Sequence, residues 1–487
     1  MTHTLILGGP GTGKTATLLT RVERYLATGV PPHEIAFVTF TRAAASEAKE
    51  RACRQFGLSF EQLPYFRTIH SLCFHGAGAR RAEILKREHL AELTALTGEE
   101  FPWQHGELDE GLPGPNDVTG EHLLHLEQLA RVTQTDLKDI WRLHAADIDW
   151  FRLKRFADAY SLFKQDSALL DFTDLLERYG AAGYPVPVSA AIIDEGQDLT
   201  RLQWRAVERA FKNVNDLLVA GDDDQSIHEW AGAAVAHFLD LPYQQEHLGH
   251  SHRLSQSILV TANAIAARMQ RRYPKPLTAD SRIGLVERLG SIEQAPLEQG
   301  EWLILARTRH MVREIAGLLE QRGLLYASRG ASSVDAKHAR AIRAYESLRA
   351  GKQVPHDDAA LVSVALAWPG TVPYREYIGS SDIDWPLDKI WHDALIGIPL
   401  AKREYYLSCR RAGERLLATP RIRLETIHGS KGLEAPNVLL FTDITERIER
   451  GMEAAPDAEH RVFYVGATRA REALYIVEPQ GNRGYVI

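Results

Sequence analysis

The chain has 487 residues, of which 45% are hydrophobic and 25% charged, and its formal net charge is −7 at pH 7. This length allows three or four domains, the composition is that of a globular protein, and no apolar run approaches the roughly 20 residues of a membrane span. The charge argues against a histone-like DNA coat, although a nucleic-acid groove needs only local positive charge.

Four apolar runs in the first half predict strands of a parallel α/β sheet, because each is followed by glycines or by a helical pattern. These runs are THTLILGG, EIAFVTFT, AAIIDE and DLLVAGD. The alternation breaks between residues 76 and 188, where HLLHLEQLARV and DWFRLKRFADAYSLFK predict amphipathic helices and GELDEGLPGPND predicts a loop. We interpret this segment as a helical insertion into one sheet.

A second α/β series begins near EHLGHSHR and includes EWLILART. An irregular segment rich in Trp, Pro and Tyr, at about residues 330–415, interrupts it before RIRLETIHG, NVLLFTD and ALYIVE resume the strand pattern. The sequence therefore predicts an α/β protein with two parallel sheets, each carrying an insertion.

The other clusters of charged residues and histidines predict solvated surfaces and not binding sites. The basic runs RLKR (152–155) and RMQRRYPK (268–275) could line a groove, but solvated helix faces are expected for each. His122 and His125 have helical spacing, and a solvated face is preferred there over a metal site. The three scattered cysteines form neither a disulfide framework nor a zinc pattern, so we expect a reducing cytoplasm.

The segment GGPGTGKT (8–15) matches the phosphate-binding pattern G-x-x-x-x-G-K-[ST] between a strand and a helix. Backbone N–H groups of such a loop surround phosphates, Lys14 can reach the β- and γ-phosphates, and the Thr15 hydroxyl can ligate Mg²⁺. A glycine-rich structural turn is the alternative, which the flanking strand and helix disfavour. The predicted nucleotide-binding residues are Gly8, Gly9, Pro10, Gly11, Thr12, Gly13, Lys14, Thr15 and Ala16.

The segment AAIIDEGQD places Asp194 and Glu195 at the end of an apolar strand. In a phosphate-binding-loop fold, one acid at this edge helps to hold Mg²⁺ and the next polarises the attacking water. The pair alone could simply cap the following helix. Together with the segment at residues 8–15, it predicts an ATPase.

Seven segments resemble, in family order, the motifs of superfamily 1 DNA helicases of the UvrD/Rep group. They are VTFTRAAASEAKER (38–51), TIHSL (68–72), IIDEGQD (192–198), GDDDQSIHEWAGA (221–233), HSHRLSQSI (250–258), ETIHGSKGLEAPNVLL (425–440) and EHRVFYVGATRAREAL (459–474). The resemblance implies two RecA-like parallel-sheet P-loop domains, each with a mostly helical insertion. The implied divisions are 1–75 and 189–243 for domain 1A, 76–188 for insertion 1B, 244–329 and 419–487 for domain 2A, and 330–418 for a reduced 2B-like insertion.

The resemblance also implies roles at the nucleotide site. Lys14 and Thr15 would bind phosphates and Mg²⁺, Asp194 would support Mg²⁺, and Glu195 would be the general base. The other implied contacts are Gln197 and Gln225 near the γ-phosphate, Arg253 and Arg469 as arginine fingers from the second sheet, Glu434 at the ribose, and His252 stacked on adenine. Without the family context, the two arginines would be interpreted as surface ion pairs.

The implied DNA-contact residues are Phe40, Thr41, Thr68, His70, Trp230 and His428. Trp230 would stack on a base, and a core tryptophan is the alternative. Simple packing is an equal alternative for Phe40. The carboxylates Asp222–Asp224 end a strand at the catalytic edge, so Mg²⁺, bound water or a turn N–H is expected beside them, and not bare phosphate.

Departures from the family pattern lead to further expectations. Only three residues precede the first strand, so the usual adenine-reading glutamine is missing and we expect only a weak preference for ATP over GTP. Ala231 stands where an arginine often follows the tryptophan, so one phosphate contact is expected to be lost. No fused nuclease domain is expected after the last motif.

The sequence thus predicts an ATP- and Mg²⁺-dependent motor that moves on single-stranded DNA, 3′→5′ by resemblance, and separates duplex at single/double-strand junctions. We expect a cytoplasmic monomer without membrane contact. One alternative is a DNA-stimulated translocase that unwinds poorly alone and serves a separate nuclease or other partner. Another is a nucleotide-gated DNA-binding module that does not hydrolyse, which Lys14, Glu195, Arg253 and Arg469 speak against.

Overall fold

The computed structural model describes residues 2–101, 120–145 and 148–487. They form two compact units. The first consists of Met1–Arg253, Ala266–Asp280 and Asp457–Arg461, and the second of Leu254–Ile265, Ser281–Pro456 and Val462–Ile487. Within the described ranges, no helix combines the length and apolar character that crossing a bilayer requires.

A sheet of six parallel strands forms the centre of the first unit. The strands of this unit are β1 (Thr2–Gly8), β2 (Ile35–Thr39), β3 (Phe66–Thr68), β4 (Ala190–Ile193), β5 (Asp216–Gly221), β6 (Gln244–Leu248), β7 (His250–Ser251) and β8 (Thr278–Ala279). The sheet order is β3-β2-β4-β5-β1-β6, and β7 and β8 form a separate parallel pair. Strands β2 and β4 are wholly buried, as apolar strands covered on both faces should be. Because all six strands run the same way, β1, β4 and β5 end at one edge of the sheet.

Strand β6 corrects the expectation that the second domain begins at residue 244. It pairs with β1, from Thr4 opposite Gln244 to Gly8 opposite Leu248, and is therefore the edge strand of the first sheet. Its sequence, QQEHL, is mostly exposed, which suits a sheet edge and carries little hydrophobic signal.

The helices of the first unit either cover the sheet or form the predicted insertion. They are α1 (Lys14–Ala27), α2 (Arg42–Phe56), α3 (Ile69–Gly76), α4 (Arg87–Thr97), α5 (Gly120–Thr133), α6 (Leu137–His144), α7 (Trp150–Asp166), α8 (Phe172–Ala182), α9 (Arg201–Ala210) and α10 (Val235–Leu239). Helices α4 to α7 pack around a core of their own, which includes Leu123, Leu126 and Phe156. The predicted loop GELDEGLPGPND lies outside the described residues.

The second unit has a seven-stranded sheet. Its strands are β9 (Leu285–Leu289), β10 (Trp302–Ala306), β11 (Tyr326–Ser328), β12 (Ala331–Ser332), β15 (Ile422–Thr426), β16 (Ala435–Phe441) and β17 (Ala470–Val477), and a separate pair is formed by β13 (Val354–Pro355) and β14 (Tyr377–Ile378). The order is β12-β11-β15-β10-β16-β17-β9, and only β12 is antiparallel to its neighbour. The predicted α/β class with two parallel sheets is confirmed.

The insertion of the second unit is more regular than its composition suggested. The remaining helices are α11 (Gln256–Ala266), α12 (Arg309–Gln321), α13 (Ala336–Arg349), α14 (His356–Ala365), α15 (Trp391–Ala394), α16 (Leu400–Arg411), α17 (Glu446–Ala454) and α18 (Pro456–Ala467). Helices α13 to α16 occupy much of the segment that the sequence marked as irregular. Its aromatic residues Tyr345, Trp385 and Trp391 are buried in the same core as the sheet, which explains their abundance there.

Candidate nucleotide and DNA site

The loop between β1 and α1 has the shape that phosphate binding needs. Gly11 and Gly13 have φ angles of 71° and 78°, a region that costs glycine little and other residues more. The Thr12 hydroxyl donates to the Gly9 carbonyl at 2.9 Å, and Lys14 Nζ donates to the Gly8 carbonyl at 2.9 Å. Lys14 therefore lies across the loop, where its ammonium can exchange a carbonyl for a phosphate oxygen. The half-buried Thr15 and exposed Ala16 lie in the first turn of α1.

Thr15 and Asp194 form an oxygen pair that fits Mg²⁺. The Thr15 hydroxyl donates to Asp194 Oδ2 at 3.2 Å, which joins the phosphate-binding loop to the end of β4. Burial, together with the neighbouring Glu195 carboxylate, raises the pKa of Asp194 well above its usual value. A hydroxyl beside a buried carboxylate is a hard-oxygen donor set, and a carboxylate that is costly to ionise alone gains from a divalent cation.

Glu195 is held in an unusual backbone conformation. Its φ of 56° lies in the left-handed region, which is strained for a residue with a side chain and is typical of functional sites. Gln197, which is fully buried, donates from Nε2 to Glu195 Oε2 at 2.6 Å. The Gln197 Oε1 accepts from the Asp222 N–H at 3.0 Å. One glutamine thus connects the candidate base to the loop that follows β5.

The three carboxylates of that loop, Asp222–Asp224, are fully buried, and we call them the acid loop. The expected turn N–H is present, because Asp222 Oδ1 accepts from the Asp224 N–H at 3.2 Å. Two cations of the chain also lie beside these carboxylates. Lys275 contacts all three carboxylates, at 3.1 Å for Asp222 and 3.0 Å for Asp224, and its pKa is raised by them.

Arg272 pairs with Asp224 through two hydrogen bonds of 2.8 and 2.6 Å. These ion pairs show that the prediction of a solvated face for RMQRRYPK is wrong for Arg272 and Lys275. The sequence could not reveal this, because the acidic partners lie about 50 residues away and leave no local pattern. The Gln225 side-chain amide donates to Asp222 Oδ2 at 2.6 Å and so stabilises the conformation of the acid loop.

Arg461 is a residue that sequence reasoning missed. It is 3% exposed, donates to the carbonyls of Asp223 and Arg271 at 3.0 Å each, and pairs with Glu229 at 2.6 Å. Its position inside the segment EHRVFYVGATRAREAL was the available signal. Arg461 therefore fixes the loop between the acid loop and Trp230.

Arg253 and His252 lie beside the phosphate-binding loop within the first unit. The His252 N–H donates to the Gly11 carbonyl at 3.0 Å, and the Ser251 hydroxyl donates to the Pro10 carbonyl at 2.7 Å. A Cβ on Gly11 would collide with Arg253 Cβ, so glycine is required there for this close approach. The sequence assigned Arg253 to the second sheet, and this is corrected, because the segment follows β6 into the first unit.

Four aromatic rings form a row on the first unit, which we call the aromatic row: Phe40, His228, Trp230 and His125. Phe40 and His228 stack with ring centres 6.0 Å apart and planes at 18°, and His228 meets Trp230 edge-on at 6.4 Å. His125 also stacks on Trp230, with ring centres 6.1 Å apart and planes at 30°. Phe40 and Trp230 are half-buried, which leaves part of each ring for a ligand.

The histidine pair of α5 is buried, and the expected solvated face is wrong. His122 and His125 are 7% and 4% exposed, because α5 is covered by neighbours on nearly all sides. The other predicted DNA contacts are ordered by caps and rings. Thr41 caps α2 and Thr68 caps α3 through their hydroxyls, and His70 meets Phe172 edge-on at 5.9 Å.

The second unit carries Arg469, Glu434 and His428. Arg469 is 2% exposed and donates to the carbonyls of Val465 at 3.0 Å and Leu433 at 3.3 Å. The Glu434 carboxylate lies 3.6 Å from Arg471. His428 is half-buried in the turn after β15. These residues belong to a different compact unit from Lys14 and Glu195.

Two family profiles match the chain. The UvrD/REP helicase N-terminal domain matches residues 1–245, and the UvrD-like helicase C-terminal domain matches residues 406–480. The match to the first profile alone covers half of the chain.

Several curated proteins are similar to it. The Putative ATP-dependent DNA helicase YjcD of Bacillus subtilis (strain 168) is 22% identical over 99% of this chain and 77% of that protein. The ATP-dependent DNA helicase Rep of Buchnera aphidicola subsp. Baizongia pistaciae (strain Bp) is 24% identical over 62% of this chain and 46% of its own length. The ATP-dependent DNA helicase PcrA of Bacillus subtilis (strain 168) is 27% identical over 58% of this chain and 40% of its own. The matches thus span less than half the length of the last two relatives.

Proposed function

Because the chain belongs to the UvrD/REP helicase family, we propose that it is an ATP-dependent DNA helicase that moves along single-stranded DNA. The observation that carries the proposal is a continuous connection in the first unit. Gln197 joins Glu195 to Asp222 by hydrogen bonds of 2.6 and 3.0 Å, and its carbonyl accepts from the Ser226 hydroxyl at 3.0 Å. Trp230 follows four residues later. A movement of the Glu195 side chain can therefore be transmitted through Gln197 and Ser226 to Trp230 in the aromatic row.

The residues around the phosphate-binding loop fit phosphoryl transfer to water. Mg²⁺ would be held by Thr15 and Asp194 and, when bound, would neutralise phosphate charge. Lys14 would bind phosphate oxygens, and Glu195, positioned by Gln197, would accept a proton from the attacking water. Arg253, beside Gly11, would stabilise the charge that develops on the transferred group. We assign Arg469 and Glu434 the finger and ribose roles as proposals from resemblance.

The aromatic row would bind bases by stacking, which is tolerant of sequence and suits a protein that moves along DNA. The proposed DNA contacts of the first unit are Phe40, Thr41, Thr68, His70 and Trp230. His428 is a proposed contact from the second unit. Apart from the boundary at residue 244, the domain divisions 1A, 1B, 2A and 2B stay predictions. The same holds for a 3′→5′ direction, a monomeric state, a cytoplasmic location and a separate nuclease partner.

The first test is ATP hydrolysis with and without single-stranded DNA. We expect DNA to stimulate hydrolysis, and Glu195→Gln and Arg253→Ala to lose most of the stimulated rate while keeping DNA binding. Arg54→Ala, which removes an exposed arginine of the same unit, is the matched control and should retain it. Near-normal turnover in either variant would remove that residue from its assigned role.

The second test is strand displacement by the purified protein on 3′-tailed and 5′-tailed duplexes. Displacement only from the 3′ tail is expected. DNA-stimulated hydrolysis without displacement from either substrate would instead favour a translocase that needs a partner. Absence of any stimulated hydrolysis would leave only a nucleotide-gated binding module.

A further inference from the structure

We propose that His250, His252 and Asp280 form a binding site for a first-row transition-metal dication such as Zn²⁺. One ligand atom from each side chain lies within 4.8 Å of the other two. Two imidazoles and one carboxylate are a donor set that these metals accept, with open positions left for water. The proposal concerns the first unit alone and stands whether or not the chain is a helicase.

The backbone explains why these side chains meet. Strands β7 and β8 run in parallel, with His250 opposite Thr278 and Ser251 opposite Ala279. Because side chains alternate along extended chain, His250 and His252 project to one side while Ser251, which is buried, projects to the other. The same alternation places Thr278 and Asp280 together on the neighbouring segment. The cluster therefore follows from the pairing of two short strands.

The hydrogen bonds fix the orientation of the His250 ring. The Thr278 hydroxyl donates to the Gly249 carbonyl at 3.1 Å, which uses its only proton. Its oxygen also lies 3.0 Å from His250 Nδ1, where it can accept from the Nδ1–H tautomer that leaves Nε2 for a metal. A hydrogen-bonded Nδ1–H is the usual support for an imidazole that binds a metal through Nε2.

The opposite nitrogen then faces a carboxylate. His250 Nε2 lies 2.8 Å from Asp280 Oδ1. In the tautomer with its hydrogen on Nδ1, the Nε2 lone pair and the Asp280 carboxylate oxygen face the same point, where a dication would bind both. The second imidazole, whose ring centre is 4.7 Å from that of His250, supplies a third donor beside this pair.

Access and selectivity are consistent with a metal site. The side chains of His250 and Asp280 are 44% and 42% exposed, so an ion can enter without unfolding the chain. Mg²⁺ prefers oxygen ligands and keeps its waters, so it is a poor competitor at a site with two imidazoles. The Thr15–Asp194 pair and the His250 cluster should therefore bind different metals.

The test is metal binding to the purified, tag-free protein after chelator treatment. Co²⁺ is added and followed by visible absorption, and Zn²⁺ affinity is measured by competition with a chromophoric chelator in excess Mg²⁺. We expect the native chain to bind one more equivalent than His250→Ala or Asp280→Asn, or to bind it at least about tenfold more tightly. His310→Ala is the matched control, because His310 is an exposed histidine that also lies beside a carboxylate, 3.3 Å from Glu314.

The two ligand variants change exposed side chains, and their thermal transitions should stay close to that of the native chain. Zn²⁺ affinity within twofold of native in both His250→Ala and Asp280→Asn would overturn the proposal. So would an equal loss in His310→Ala, since that result would indicate nonspecific histidine binding. Failure of DNA-stimulated hydrolysis would contradict the proposed function and leave this measurement unaffected.

Discussion

Lys275 is the counter-ion on which the buried carboxylates of the acid loop depend. Its ammonium is almost fully buried and contacts the three carboxylates of the acid loop, which are themselves fully buried. Removing one member of a buried charge group leaves the others uncompensated, which typically costs about 3–5 kcal/mol. The acid loop therefore depends on a residue about 50 positions further along the chain.

We expect Lys275→Met to lower the stability of the first unit by about 3–5 kcal/mol, because methionine keeps the volume but not the charge. The measurement is the apparent midpoint of urea unfolding, followed by the fluorescence of buried tryptophans. Lys212→Met, at an exposed lysine of the same unit, is the control. Equal midpoints for the two variants would contradict the interpretation of Lys275 as the counter-ion.

Trp230 provides a second prediction at this scale. Trp230→Ala should weaken binding of single-stranded DNA by about 1–3 kcal/mol, the stacking energy of one base, and leave DNA-free hydrolysis nearly unchanged. Affinity is measured by fluorescence anisotropy of a labelled oligonucleotide. Trp368→Ala, at a partly exposed tryptophan of the second unit, is the comparison. Loss of folded protein in Trp230→Ala would support the core alternative.

At the scale of elements, the sequence predicted four adjacent inner strands of each sheet and the functional loops, because their signals are local. A window of about ten residues is enough to recognise the apolar runs of β1, β4 and β5 as strands and the glycines before Lys14 as a phosphate-binding loop. Strand β6 was misassigned because Leu248 is the one apolar residue of QQEHL and its partner, β1, lies far away in sequence. His125 was misjudged for a related reason: helical spacing cannot show that α5 is covered on nearly all sides.

Helix α5 also carries a prediction about pH. Burial raises the pKa of Glu127 to about 7, from a usual value of 4.5, and its Oε2 has no hydrogen-bond partner among the described residues. Below pH 4.5 the carboxyl is protonated in both folded and unfolded states and has no effect on stability. Between about pH 4.5 and 7 the unfolded chain ionises while the buried folded carboxyl stays protonated, so stability falls across this window, and the loss is complete once the pH has passed the folded pKa.

Glu127→Gln should therefore stabilise the protein by about 1–3 kcal/mol at pH 8, since each pKa unit is worth about 1.4 kcal/mol, and should have little effect at pH 4. Thermal unfolding at the two pH values measures this. Glu177→Gln is the control, because Arg131, which lies 3.5 Å from the Glu127 carboxylate, also pairs with Glu177, whose side chain is 43% exposed. A stabilisation that is equal at both pH values would contradict the assignment.

At the scale of the whole molecule, the first unit is discontinuous. Its acid loop and the turn after it are held by Arg272, Lys275 and Arg461, which lie outside the segment that contains the sheet. A fragment ending at Arg253 would have all six strands of the sheet but none of these cations. We expect that fragment to be unstable, and one ending at Asp280 to be more stable, by proteolysis of the two purified fragments. Equal resistance would contradict this.

The same discontinuity has a consequence for biosynthesis. A ribosome adds about 5–20 residues per second, so Arg461 leaves it about 10–40 s after Arg253. During that interval the nascent chain already contains Asp222–Asp224. Burying these carboxylates without their counter-ions would cost free energy, so they are expected to stay hydrated until Lys275 and then Arg461 have been synthesised. Completion of the first unit is thus tied to translation past residue 461, and a slow codon before that residue would delay it.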